Sequence, residues 1–320
     1  MITYSQAMAQ AHASVSASPS VSASFSVSES APDSPNSPNS SDSPAAPAPA
    51  FDLDAYLARI GWSGERRATA ETLRSLQRAH LVHIPFENIQ AFLGGAPSLA
   101  LPDLEAKLVR GNRGGYCYEH NTLFAAVLEA FGFTVTRLTA RVLVGARPGE
   151  TRPRTHKLLL VTVTEGDERG PFVADVGFGS TGSLYEAIPL VADAEVRAGQ
   201  RRHRLVLEPH GGPLEMWVLQ SVQDGEWEDQ YSFTVEPFEP ADYEVINWHI
   251  ATNPRSPFQH QLYVQRTFVD RHLALVGRKV EEILPDGTRT RRELADGAEV
   301  VRVLASDFGI ALPADVTLPV

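Results

Sequence analysis

One cysteine, one histidine and one aspartate have the types and surroundings to do covalent chemistry. Cys117 is the only cysteine among 320 residues and lies in RGGYCYEHN, residues 113–121. The two glycines before it allow a tight turn, and a helical apolar pattern starts just after it. The thiol therefore falls at or within one turn of a helix N-terminus. Partial positive charge and free N–H groups there favour the thiolate, which is the nucleophilic form. A lone cysteine is ordinarily a small buried hydrophobe. The polar neighbours Arg113, Glu119, His120 and Asn121 weigh against that reading.

A thiolate nucleophile needs a base and an orienting group. His156 lies in the strand-like run THKLLLVTV, and Asp175 lies in PFVADVGFG, across a turn at residues 165–170. Strands joined that way are expected to be antiparallel neighbours, with His156 and Asp175 facing each other. Register decides the outcome, because a slip of one residue puts the two on opposite faces. Cys117, His156 and Asp175 are thus the expected catalytic set. His80 and His83 have a spacing that could serve a metal, but no third ligand lies nearby, so a structural or solvent role and no metal are expected. His120 is too close to Cys117 to be the base, which leaves it at most a lining role. Neither the phosphate-loop nor the dinucleotide glycine fingerprint occurs.

The elements that must hold these residues follow from periodicity. Leu53, Tyr56, Leu57 and Ile60 share one helical face, and Leu73, Leu76 and Leu81 belong to a second helix that stops at Ile84-Pro85. Phe124, Val127, Leu128 and Phe131 form a third stripe, ending at Gly132. Beyond Gly132 the period becomes two. TVTRLTARVLV, HKLLLVTV, PFVADVGF, HRLVLEP, LEMWVLQSV and WEDQYSFTV read as short strands of a barrel or closed sheet. A smaller unit starts near Asp242, with a hairpin at ILPDGTRTRREL and a final helix in VVRVLASDFGI.

The expected division is a disordered Ser/Ala/Pro-rich tail over 1–50, a helical bundle carrying the cysteine over 51–133, a β-barrel carrying the histidine and aspartate over 134–241, and an α/β lid over 242–320. The first Lys or Arg is Arg59, so neither a secretory nor a transit signal is expected in the tail. A true translation start just upstream of Phe51 is the alternative. The net charge of −11 argues against a nucleic-acid partner. No apolar run suits a membrane span, and a single cysteine excludes a disulfide framework and fits a cytoplasmic setting.

These residues also resemble a known family. RGGYCYEHNTLF closely resembles the active-site signature of the arylamine N-acetyltransferases. LQRAHLVHIPFENI is similar to that family's helix-then-IPFEN segment, and THKLLLVTV and FVADVGFGS are similar to the segments carrying its histidine and aspartate. FEPADYEVINWHIATNPRSPFQHQLYVQR resembles the start of its third domain. The resemblance spans residues 51–320; His120 stands where many members carry Gln, and the tail is outside the pattern.

The resemblance implies an α+β multidomain fold of helical bundle, β-barrel and α/β lid around a cysteine-protease-like Cys-His-Asp core. It implies ping-pong transfer of an acetyl group from acetyl-CoA, a cosubstrate rather than a permanently bound cofactor, to an aromatic amine or hydrazine. Cys117, His156 and Asp175 carry over as the triad, and Phe178 and Gly179 as acceptor-side residues. The loop from Gly145 to Thr155 carries over as the segment approaching the acyl group and CoA. The same triad also fits a macrolactam-forming amide synthase, a transglutaminase- or hydrolase-like thiol enzyme, and a non-catalytic binder of aromatic compounds. Oligomeric state is left open.

Overall fold

The computed structural model describes residues 51–320 apart from Pro148, Gln200 and Ala314, so the expected tail lies outside the described residues. Helix α1 (Leu53–Arg59) and helix α2 (Ala70–His83) each begin at a capping side chain, Asp52 and Thr69, which accept the Ala55 and Thr72 N–H groups. α2 ends at Ile84, where the following proline disfavours further helix. A two-residue strand β1 (Phe86–Glu87), a short helix α3 (Ile89–Phe92) and a short helix α4 (Leu101–Leu104) follow; α4 runs directly into a π-helical turn, Glu105–Arg110. Helix α5 (Cys117–Ala130) comes next. Its Phe124, Val127 and Leu128 stripe packs on Leu73 and Leu76 of α2 in one apolar core. Gly132 then takes a positive φ of 88°, the left-handed turn that ends a helix at low cost only for glycine.

Eight antiparallel strands make the central sheet: β2 (Thr134–Val142), β3 (Arg154–Val163), β4 (Gly170–Ala174), β5 (Ile188–Pro189), β6 (Val196–Ala198), β7 (Arg201–Glu208), β8 (Met216–Gln223) and β9 (Glu226–Phe233). Their order is β5-β4-β3-β2-β9-β8-β7-β6. Beyond β5 the chain bridges back from Ala192 to Leu205 on β7, so the sheet nearly closes on itself. Leu138, Val173, Leu205, Leu219 and Phe233 fill the interior. Asp224 and Gly225 both have positive φ, the geometry that matches a two-residue turn to the twist of the β8–β9 hairpin.

The last part comprises helix α6 (Pro240–Thr252), helix α7 (Pro257–His260), strands β10 (Tyr263–Thr267), β11 (His272–Val276), β12 (Lys279–Ile283) and β13 (Arg289–Glu293), and helix α8 (Gly297–Ser306). The expected hairpin at ILPDGTRTRREL is β12–β13, and α8 lays Val300, Val303 and Leu304 on the sheet. Helical bundle, β-barrel and α/β lid are all present, as expected. One feature differs from the sequence reading: β1, in the IPFEN segment, pairs with β10, so the five-stranded sheet of the lid borrows a strand from the helical part. Two residues are too few to show a period of two, so no local pattern announces that strand.

Candidate active site

The RGG and IPFEN segments, far apart as sequence motifs, form one structural unit. Arg113 donates to the buried Glu87 carboxylate through Nε at 2.9 Å and Nη2 at 2.6 Å. Glu87 N–H in turn donates to the Gly115 carbonyl at 2.8 Å. Gly114 passes so close to Pro85 that a Cβ there would stand 1.9 Å from the Pro85 carbonyl oxygen. The Glu119 carboxylate accepts the Tyr116 N–H at 3.1 Å and pairs with Lys107 at 2.6 Å. These contacts anchor the start of α5, whose first residue is Cys117. The thiol is 5 % exposed and sits among the helix's uncommitted N–H groups.

His156 reaches the same point from β3. A bulge precedes it: Ala140 pairs with His156 and Arg141 with Arg154, leaving Thr155 unpaired. Such an extra residue re-aims the side chains beside it, and the Thr155 carbonyl oxygen lies 3.9 Å from the Cys117 sulfur. His156 Nε2 is 2.6 Å from Asp175 Oδ2, and the ring also lies within hydrogen-bonding reach of the Cys117 sulfur. Nδ1 is therefore the ring nitrogen open to the thiol. Asp175 is not a cross-strand partner of His156. The β3–β4 ladder ends at Leu159–Ala174, and the aspartate approaches from just beyond it.

What holds Asp175 there is a side chain the sequence reading noted only as polar surroundings. Asn121, one turn along α5 from Cys117, donates to Asp175 Oδ1 at 2.9 Å and to the Lys157 carbonyl at 2.6 Å. Its own carbonyl oxygen accepts the Val176 N–H at 3.1 Å. Gln77 of α2 accepts the Asp175 N–H, and Gly177 N–H donates to Asp175 Oδ1. Gly177 lies flat against Cys117, since a Cβ there would be 2.6 Å from the Cys117 Cα. One amide side chain thus ties α5 to β3 and to the segment just beyond β4 that carries Asp175. The RGGYCxxxN spacing was the available signal: Asn121 lies four residues after Cys117, on the same helix face.

Burial opposes charge on His156, but the Asp175 carboxylate and the nearby sulfur outweigh it and raise the imidazole from 6.5 to about 10. The stabilisation this charge contributes is complete below the ordinary histidine value and is lost as pH rises through about 10. The other buried histidines behave oppositely. His120 Nε2–H donates to the Pro85 carbonyl, so its Nδ1 accepts from His80 Nε2–H, and His80 Nδ1 accepts from the Tyr56 hydroxyl at 2.7 Å. Burial holds His80 well below 6.5 and lowers His120 to about 4. His120 is thus not a lining residue but part of a buried chain behind the helix. His83 bonds the Ala79 carbonyl of its own turn, so it and His80 join separate contacts. Histidine-edited nitrogen NMR at pH 7 is expected to show both His156 ring nitrogens protonated and His80 and His120 neutral. A neutral His156 at that pH would remove the ion pair from the site.

The sulfur opens into a narrow pocket of about 60 Å³. Thr155, Phe178 and Gly179 all line it, and Phe86, Val142 and Phe258 complete its apolar walls. The Phe178 and Tyr231 rings stand 5.0 and 5.1 Å from the imidazole, which keeps water from its faces. His249, Asn253 and Arg255, from the end of α6 and the loop after it, form the lid-side edge.

Comparison with known proteins decides the family. The N-acetyltransferase family model matches residues 69–317. An arylamine N-acetyltransferase of Mycolicibacterium smegmatis is 37% identical over 265 residues, covering 82% of this chain and 93% of the relative. The chain belongs to the arylamine N-acetyltransferase family. Among solved members, the Nocardia farcinica enzyme superposes with a TM-score of 0.76 at 42% identity, over 84% of this chain and 95% of that one. A Mycobacterium marinum arylamine N-acetyltransferase solved in complex with CoA superposes with a TM-score of 0.74 at 34% identity, over 81% of this chain and 93% of that one. In this family member the residues brought to the pocket come from all three parts of the fold: Cys117 from a helix, His156 from the barrel and Arg255 from the lid.

Proposed function

We propose that the chain moves an acetyl group from acetyl-CoA, through a Cys117 thioester, to the nitrogen of an aromatic amine or hydrazine. The observation that carries this is a helix-start thiol beside an imidazole whose other nitrogen is 2.6 Å from a buried carboxylate, all open to one apolar pocket. The arylamine N-acetyltransferase relatives, and the CoA bound by the Mycobacterium marinum protein, support the choice of donor and acceptor.

In this reading Asp175 orients His156 and keeps it charged, and the imidazolium stabilises the Cys117 thiolate. The thiolate attacks the thioester carbonyl carbon, the Cys117 N–H at the helix start donates to the developing oxyanion, and CoA leaves with the proton from His156. A neutral amine then attacks the acetyl-cysteine. His156, now neutral, takes the amine proton as the C–S bond breaks, and the amide departs. Weakly basic aromatic amines suit this step, since they carry no proton at neutral pH. Phe178 and Gly179 face the acceptor and Thr155 the acyl group. The pocket takes small molecules, and a cytoplasmic setting follows because a free catalytic thiol stays reduced there. Among the described residues no helix is long and apolar enough to cross a membrane.

Incubation with acetyl-CoA and no amine is expected to add one acetyl group to the Cys117 peptide, as read by mass spectrometry. Addition of aniline or a hydrazine should remove it. An unmodified Cys117 peptide would refute the scheme.

A further inference from the structure

His156 and its neighbour in sequence face opposite ways. Lys157 follows it on β3, so its side chain leaves the other face of the strand, away from the nucleophile. There it borders a cavity of about 780 Å³ formed by the segment leading into α4, the outer faces of β2 and β3, one residue of α5 and the first turns of α6. That volume is of the size that small-molecule sites use.

Lys157 is 2 % exposed, yet it has no carboxylate within ion-pair distance among the described residues. Its Nζ donates to Thr122 Oγ1 at 2.7 Å and stands 4.0 Å over the Tyr243 ring. A buried cation with only a hydroxyl and a ring face for partners is costly. Burial accordingly lowers it to about 7; Arg137 pushes it further down, while Cys117 and Glu129 act in the opposite sense. Arg137 also lines the cavity and pairs with Glu129 at 2.8 Å. Phe238 and Tyr243 supply aromatic wall, and the exposed Glu239 and Glu244 complete the charged lining. The cavity thus combines apolar surface with one buried amine that lacks a counter-charge.

We propose that this cavity is a second ligand site, distinct from the cysteine pocket, which takes a small aromatic carboxylate with its carboxylate on Lys157. The ring of such a ligand would lie against Phe238 and Tyr243, and the anion would supply the partner that the amine lacks. The site shares a wall with the chemistry: Tyr243 of α6 lines this cavity, and His249 and Ile250 of the same helix line the cysteine pocket.

Benzoate titrated into the full chain by calorimetry is the test, with benzamide as its uncharged counterpart. Saturable benzoate binding is expected, at least about tenfold tighter than benzamide, because a charge-assisted hydrogen bond is lost with the charge. Lys157→Met should weaken benzoate by about tenfold to a hundredfold and leave benzamide unaffected. Ala100→Trp, at the rim of the cavity, should abolish binding of both by filling the space while leaving the lysine intact. Ala100 is exposed and its side chain makes no capping bond, so this variant decides the matter even if Lys157→Met fails to fold. Absence of saturable binding, equal affinity for benzamide, or wild-type affinity in either folded variant would overturn the proposal.

Discussion

Cys117→Ser is expected to lower acetyl-CoA-dependent amine acetylation by about 10⁴-fold or more, with the thermal midpoint nearly unchanged. The fold should tolerate the change, because a hydroxyl occupies less space than a thiol at the start of α5. The chemistry should not. A serine hydroxyl becomes nucleophilic only if a neutral base takes its proton as it attacks. His156 is held charged to about pH 10 by Asp175 and the site sulfur. Removing the sulfur takes away part of that support, but the Asp175 contact at 2.6 Å remains. The imidazole thus enters the reaction already protonated and is a poor base for a hydroxyl at neutral pH. Steady-state rates with an aniline and a hydrazine give the measurement. Retention of more than about one hundredth of the wild-type rate would mean that the acetyl group does not pass through sulfur.

The second large effect is on stability. Gly114→Ala would place a Cβ 1.9 Å from the Pro85 carbonyl oxygen and 2.9 Å from its carbonyl carbon. Both obstacles are backbone, so no side-chain rotation relieves the clash. Neither chain segment is free to retreat. Glu87 N–H is bonded to the Gly115 carbonyl, Arg113 is paired with Glu87, and β1 is clamped in the lid sheet by β10. A loss of about 3 kcal/mol or more is expected, read as a fall of about 6–12 °C in the thermal midpoint. Activity should fall with it, since Phe86 of β1 walls the pocket and Cys117 lies three residues beyond the clash. Gly211→Ala is the control, with nothing within 4 Å of its added Cβ. A Gly114→Ala protein as stable as that control would show that the RGG and IPFEN segments are not locked together.

Much of this was legible in the sequence because it is written locally. Helix α5 announces itself through Phe124, Val127 and Leu128 at helical spacing, with glycines before Cys117 and after Phe131. The strands from Thr134 to Phe233 do so through their period of two. A thiol at a helix start, followed by a histidine and an aspartate on successive strands, states a chemistry before any contact is known. Local patterns of this kind depend on the few residues that share a turn or a pleat, and those residues are adjacent in the chain.

Tertiary structure alone decided the rest. His156 and Asp175 meet not as a cross-strand pair but through a bulge on one side and the end of a ladder on the other, and register of that kind is set by packing. Asn121 and Gln77 matter because of contacts 54 and 98 residues distant in sequence, and a polar residue bound for such a brace looks the same in sequence as one bound for solvent. His120 is likewise drawn away from the pocket by His80 and the Pro85 carbonyl. The same holds for Lys157, an ordinary strand lysine by spacing that folding buries beside a cavity without a counter-charge. Periodicity shows which face of an element turns inward; only the assembled fold shows what each buried polar atom meets there.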